Sequence, residues 1–167
     1  MLSCPISDVA ALLPHSGHMV LLDEILAYDH ESLQAGAHIG ADHVLMQPDG
    51  TVPAWMGMEI MAQCIAALDG IHAHNGGESV RLGFLLGTRK LHLFADTLPV
   101  GCTLLAETRQ SIRDSNGFAV FDCSLRITAA PVGFRLPENG LVAQAALNVF
   151  SPPDLDNYLA QTQKATT

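Results

Sequence analysis

Apolar positions along this chain form one long block and several shorter runs, and the two patterns predict different elements. The block lies between Pro53 and His74, where Met56 to Leu68 is apolar except for Glu59 and Gln63. Good helix formers fill it, among them Met56, Met58, Glu59, Met61, Ala62, Gln63, Ala66, Ala67 and Leu68. Pro53 suits a helix start, because its missing N–H has no partner to lose there. Asn75-Gly76-Gly77 supplies the stop. Apolar residues cover nearly the whole circumference, so the helix must be wrapped on most sides.

The shorter runs predict strands. Met19 to Ala27 and Ser32 to Ile39 precede the helix, with Asp29-His30-Glu31 as their turn. Arg81 to Leu86, Lys90 to Phe94, Thr103 to Arg113, Ala119 to Ala129 and Gly140 to Phe150 follow it. Asp114-Ser115-Asn116-Gly117 joins two of the long ones, and its Asn-Gly step signals a hairpin. Ser7 to Leu12 predicts a short helix capped by Ser7 and ended before Pro14. Gly40 to Thr51 is a loop containing Pro48, Asp49 and Gly50. The order of elements, two strands, one apolar helix and about five strands, requires a sheet curled around the helix. The expected class is therefore α+β, a hotdog fold, with residues 1–151 as a single domain and 152–167 as a frayed tail.

Composition narrows the partners. Hydrophobic residues are 49% and charged residues 15% of the 167, which excludes disorder and predicts surface buried in an oligomer. The apolar run is too short to span a bilayer, so no membrane is expected. The N-terminus shows no basic region leading into an apolar one, which places the chain in the cytoplasm. A formal charge of −9 with eight basic residues disfavours nucleic acid. The four cysteines form no C-x-x-C pair and the eight histidines have no ligand spacing, so buried thiols and no metal are expected.

Three stretches resemble a known family. Leu13-Pro14-His15 followed by Val20-Leu21-Leu22-Asp23-Glu24-Ile25 is similar to the opening of the beta-hydroxyacyl-ACP dehydratases of fatty acid synthesis. Glu59-Ile60-Met61-Ala62-Gln63 resembles their E-A-M-A-Q stretch, and Pro53-Ala54-Trp55-Met56-Gly57-Met58-Glu59 stands where they have P-G-x-L-x-x-E. Through P-A-W-x-G-x-E-x-M-A-Q and through Arg81 to Gly87, the resemblance is to the hotdog dehydratases of aryl polyene clusters, over roughly residues 10 to 150. The fatty acid dehydratases carry G-H-F-P some fourteen residues before the helix carboxylate, and its histidine is their base. Here that position is Leu45, no G-H-F-P occurs, and the nearest histidine is His43.

The resemblance implies loss of water from a 3-hydroxyacyl thioester. That reaction needs a base for the C2 proton and a protonated acid for the leaving C3 hydroxyl. Glu59 is the candidate acid and His43 the candidate base, unless a partner hotdog subunit supplies the histidine, since related hotdogs pair the two groups across a dimer. Gln63, one turn beyond Glu59, is placed to orient it. Trp55 is a candidate wall of the acyl tunnel, and Gly57 would let a thioester oxygen approach N–H groups at the helix start. His15 is expected to make a structural contact. A hotdog thioesterase, with Glu59 activating water, and a non-catalytic partner subunit are the competing readings. The implied partners are an acyl carrier protein and a second hotdog subunit, in a homodimer or heterodimer, with no cofactor. A carrier is acidic, so docking calls for a local basic patch, for which Arg81, Arg89 and Lys90 are the candidates.

Overall fold

The computed structural model of the chain describes residues 1–152 and Tyr158, without the side chain of Arg89. In chain order the elements are β1 (Glu24–Tyr28), β2 (Ser32–His38), β3 (Thr51–Pro53), α1 (Gly57–Asn75), β4 (Phe84–Leu93), β5 (Thr97–Pro99), β6 (Thr103–Arg113), β7 (Phe118–Ala129) and β8 (Leu141–Phe150). Six strands form one antiparallel sheet in the order β1-β2-β6-β7-β8-β4. Helix α1 packs on β2, β6, β7 and β8. A long helix held by an open antiparallel sheet is the hotdog architecture.

The helix is buried because its composition leaves it no polar face. From Gly57 to Ile71 only Met58, Glu59, Ala62, Ala66 and Asp69 escape burial. The last four are spaced three, four and three apart, so they form one stripe along the helix. Everything else meets the core, which includes Phe121, Leu125, Leu104, Leu33 and Leu147. A 3-10 turn at Ala54–Met56 leads into α1, and its Pro53 cap marks the start. At the other end Gly76 N–H donates to the His72 carbonyl over 3.0 Å, and Gly77 takes φ +73.

Three expected strands differ in extent. Met19 to Leu22 stays out of the sheet, because its backbone bonds elsewhere, and contact with β2 begins at Asp23, whose N–H donates to the Gly36 carbonyl over 2.9 Å. Val20 N–H donates to the Gly17 carbonyl, and Leu21 N–H to the Gln63 side chain. A short apolar run has no period that separates these outcomes. The strands expected at Arg81 to Leu86 and Lys90 to Phe94 are one strand, β4, kept continuous by irregularities between Leu85 and Gly87 and between Thr88 and Lys90. Gly87, at φ +130, supplies backbone that other residues rarely adopt.

At the N-terminus, the helix expected over Ser7 to Leu12 is a 3-10 turn at Ala10–Leu12 without a side-chain cap. Ile6 instead exchanges two 2.9 Å backbone hydrogen bonds with Ile25. The pair β3 and β5 gives no sequence signal, having three residues in each strand and a proline at one end. Cys64, Cys102 and Cys123 are buried and Cys4 is exposed. Burial pushes the thiol of Cys102 up to about 11 and that of Cys123 up to about 12, and raises Cys64 further. The expected frayed tail lies outside the described residues, apart from Pro152 and Tyr158.

Gly70 fixes how closely the N-terminal segment lies on α1. A Cβ there would sit 2.0 Å from the Leu12 carbonyl oxygen, a backbone atom that cannot rotate away. Gly70→Ala is expected to destabilise the fold by about 3 kcal/mol, the upper end of overpacking. For a chain of this size that lowers the melting temperature by about 10 °C, measurable by circular dichroism.

Candidate functional site

Glu59 lies in the first turn of α1, on the helix's open stripe. Its Oε1 accepts a 2.9 Å hydrogen bond from Gln63 Nε2 and lies 3.4 Å from His15 Nε2. The side chains of Glu59 and His15 are about one-third exposed, 36% and 31%. Gln63, fully buried, makes the i, i+4 hydrogen bond that helical spacing suggests. It also donates to the Met19 carbonyl over 2.7 Å and accepts from Leu21 N–H over 2.9 Å. One amide therefore ties the segment after His15 to the helix and holds the carboxyl in place.

These contacts leave a definite chemical arrangement. Both polar contacts of Glu59 among the described residues fall on Oε1, so Oε2 remains to carry a proton. The group can act as an acid toward a leaving oxygen, or as a carboxylate toward water. His15 Nδ1 is buried without a hydrogen-bond partner among the described residues. Its Nε2 faces Glu59, an orientation that suits holding the carboxyl.

Glu59 opens on a cavity of about 130 Å³. Ala62, Ile65, Ala66 and Asp69 continue its helix side. Phe84 and Leu85 of β4 and Val149 and Phe150 of β8 form the opposite wall, with Arg81 at the margin. Val149 pairs with Leu85 and Phe150 with Phe84 across the two strands. Because neighbours along a strand face opposite ways, Leu85 and Val149 share the face toward the helix, and the Phe84 and Phe150 rings share the other, against Tyr158.

His43 is elsewhere. It lines a second cavity, of about 270 Å³, with His18, Asp23, His38, Asp42 and Ile60. Its Nδ1 accepts from Leu45 N–H over 3.1 Å, and its Nε2 is buried without a partner among the described residues. Burial holds the His43 imidazole below the usual histidine range, with Asp42 pulling the other way. Burial also pushes the Asp23 carboxyl up, partly opposed by His38. Among the described residues no three His, Cys, Asp or Glu side chains converge as a metal ion would require.

The other candidates are spread out. Trp55 is 53% exposed, in the turn before the helix, and lines neither cavity. Gly57 is buried, its N–H donates to the Ala54 and Trp55 carbonyls, and a Cβ there would come within 2.5 Å of Leu125 Cδ2. The N–H expected to face a ligand is thus engaged, and the glycine permits close packing on β7. Arg81 pairs with Glu78 beside the Glu59 cavity, whereas Lys90 lies in a separate depression with His92 and Asp122. The side chain of Arg89 lies outside the described residues. Sequence reasoning did not find Ala62, Ala66, Asp69, Phe84 or Phe150 as site residues. Their signal was present only in part, as the three-four-three spacing on α1.

A family model described as ApeP-like, ApeP dehydratase, matches residues 7–160. No curated protein sequence matches the chain. Among solved structures, a chain of the dehydratase heterocomplex ApeI:P from Xenorhabdus doucetiae is similar at 22% identity and a TM-score of 0.79. That match covers 96% of this chain and 99% of the other. AziG of S. sahachiroi follows at 16% identity and a TM-score of 0.57, over 84% of this chain and 98% of that one. A hypothetical thioesterase with coenzyme A from Streptococcus pneumoniae TIGR4 has 10% identity and a TM-score of 0.55, over 77% and 84%. At such identities the structural likeness establishes the shared fold.

Proposed function

Because the chain belongs to the ApeP-like dehydratase family, we propose that it supplies the acid for dehydration of a 3-hydroxyacyl group held as a thioester on an acyl carrier protein. The observation that carries this is Glu59, held at Oε1 by Gln63 and His15 on the open stripe of α1, at an apolar cavity. A base removes the C2 proton. The electron pair forms the C2–C3 double bond and the C3–O bond breaks. Glu59 gives its proton to the departing hydroxyl, so the products are water and the trans-2-enoyl thioester. His15 is a positioning residue, holding Glu59 through Nε2.

The base comes from a second hotdog subunit. Two features support this. His43 lines a different cavity from Glu59, so the two do not serve one site within the chain. The Glu59 cavity also borders β4, which among the described residues pairs with β8 alone and carries exposed Leu85, Leu86 and Leu93, with Leu82 and Phe94 just beyond its ends. An apolar edge strand of this kind is a template for another strand. The similar solved chain belongs to a dehydratase heterocomplex, which favours a different subunit over a second copy. His43 is then available to a second composite site, facing an acid from the partner. Arg81, beside the cavity, is the group placed to meet the carrier's acidic surface.

Mass spectrometry of a 3-hydroxyacyl carrier protein incubated with the purified chain, alone and with a G-H-F-P hotdog subunit from the same genome, tests this. Loss of water only in the mixture is expected, and Leu86→Lys should abolish it by placing a charge on the joining edge. Full activity of the chain alone would refute the shared site. Release of free acid would replace dehydration with thioester hydrolysis.

A further inference from the structure

The open stripe of α1 continues well past Glu59. Ala62, Ala66 and Asp69 follow it, and ten residues of helix at 1.5 Å each carry the stripe about 15 Å. Ala62 and Ala66 are the floor of a groove whose far wall is formed by β4 and β8, with Leu85 and Val149 on the face toward the helix. At these two positions any larger side chain would project into the space, so alanine is what keeps the groove open. The groove ends at a charged stop. Asp69 Oδ1 accepts a 2.7 Å hydrogen bond from Arg113 Nη2, and Arg113 is itself held by Gln110 over 2.6 Å. Hydrocarbon laid over that pair would desolvate it at a cost.

We propose that this groove is the acyl-chain subsite, and that Ala62 and Ala66 set the chain length it admits. The proposal rests on the reading of Glu59 as the acid at C3. With C3 at Glu59, the rest of the acyl chain runs over Ala62, then Ala66, and stops before Asp69 and Arg113. The polar amides of a pantetheine arm would find few partners between the two alanines and the aliphatic side chains of Leu85 and Val149, whereas hydrocarbon is matched to those walls. The two alanines act at different depths. A side chain grown from Ala62 blocks the groove one turn from the acid, and one grown from Ala66 blocks it two turns away.

The test uses the chain in its active assembly with 3-hydroxybutyryl, 3-hydroxyoctanoyl and 3-hydroxydodecanoyl pantetheine thioesters. Ala66→Leu, with Ala66→Val as a milder second variant, is expected to lower kcat/KM for the dodecanoyl substrate by about 100-fold, the upper range of exclusion from an apolar pocket. The butyryl substrate should be unaffected. Ala62→Leu should also exclude the octanoyl substrate. Equal losses for all three lengths would assign the groove to the pantetheine arm and overturn the proposal, as would no loss for any. Ligand-induced change in melting temperature, read on the same thioesters, separates the two readings. If the wild-type assembly removes water from none of them but its stabilisation still grows with chain length and is lost in Ala66→Leu, the groove stands and the dehydratase reading falls. If stabilisation is independent of length, the groove assignment falls.

Discussion

Glu59→Gln is expected to lower the rate of water loss by roughly 10²–10⁴-fold, the usual contribution of a positioned acid. The amide has the shape of the carboxylic acid, and its oxygen can still accept from Gln63 Nε2 and face His15 Nε2, so both contacts on Oε1 persist. What disappears is the proton on the other arm. The melting temperature should therefore stay within about 2 °C of wild type, as for substitutions that keep their contacts. Loss of turnover with an intact fold is the signature of an acid. Unchanged activity of the substituted assembly would make this chain a non-catalytic partner, and the acid would have to come from the other subunit.

Gln63→Leu should damage both fold and reaction. Leucine removes a hydrogen bond to the Met19 carbonyl, one from Leu21 N–H and one to Glu59 Oε1. Two backbone groups then lose their partners in a partly buried setting, which costs about 3 kcal/mol in total. Thermal denaturation should show a fall of about 6–12 °C. The rate should fall below what stability explains, because Glu59 is then steered only by His15, and the segment that follows His15 has come loose from the helix. Assaying well below the lowered transition separates the two effects. A melting temperature equal to wild type would mean that Met19 and Leu21 are satisfied by solvent, and that the amide serves Glu59 alone.

How far the site could be read from the chain depends on how local each contact is. Gln63 and Glu59 are four residues apart on one helix, so their hydrogen bond follows from helical geometry. His15 is 44 residues from Glu59, and nothing in its neighbourhood signals where the 3-10 turn at Gly17–Met19 will deliver it. His43 was a natural candidate on separation along the chain, but its loop opens on the other cavity. The groove was invisible for the same reason. Alanines in a helix read as good helix formers, and only the placement of Leu85 and Val149 opposite them makes the floor of a cleft.

Much of the architecture needed no tertiary information. The apolar block, its proline start and its Asn-Gly-Gly stop define α1, and an apolar helix of that length has to be enclosed by the strands around it. β2 and β6 also follow from patterning, because alternation over seven or more residues has a single reading. Tertiary structure decided what patterning leaves degenerate. It merged two expected strands into β4 across Gly87, kept Met19 to Leu22 out of the sheet, and chose which stripe of a nearly uniform helix remains open. A helix apolar on all sides has no preferred face of its own. Only the wall that β4 and β8 hold opposite Ala62 and Ala66 determines where Glu59 can meet a ligand.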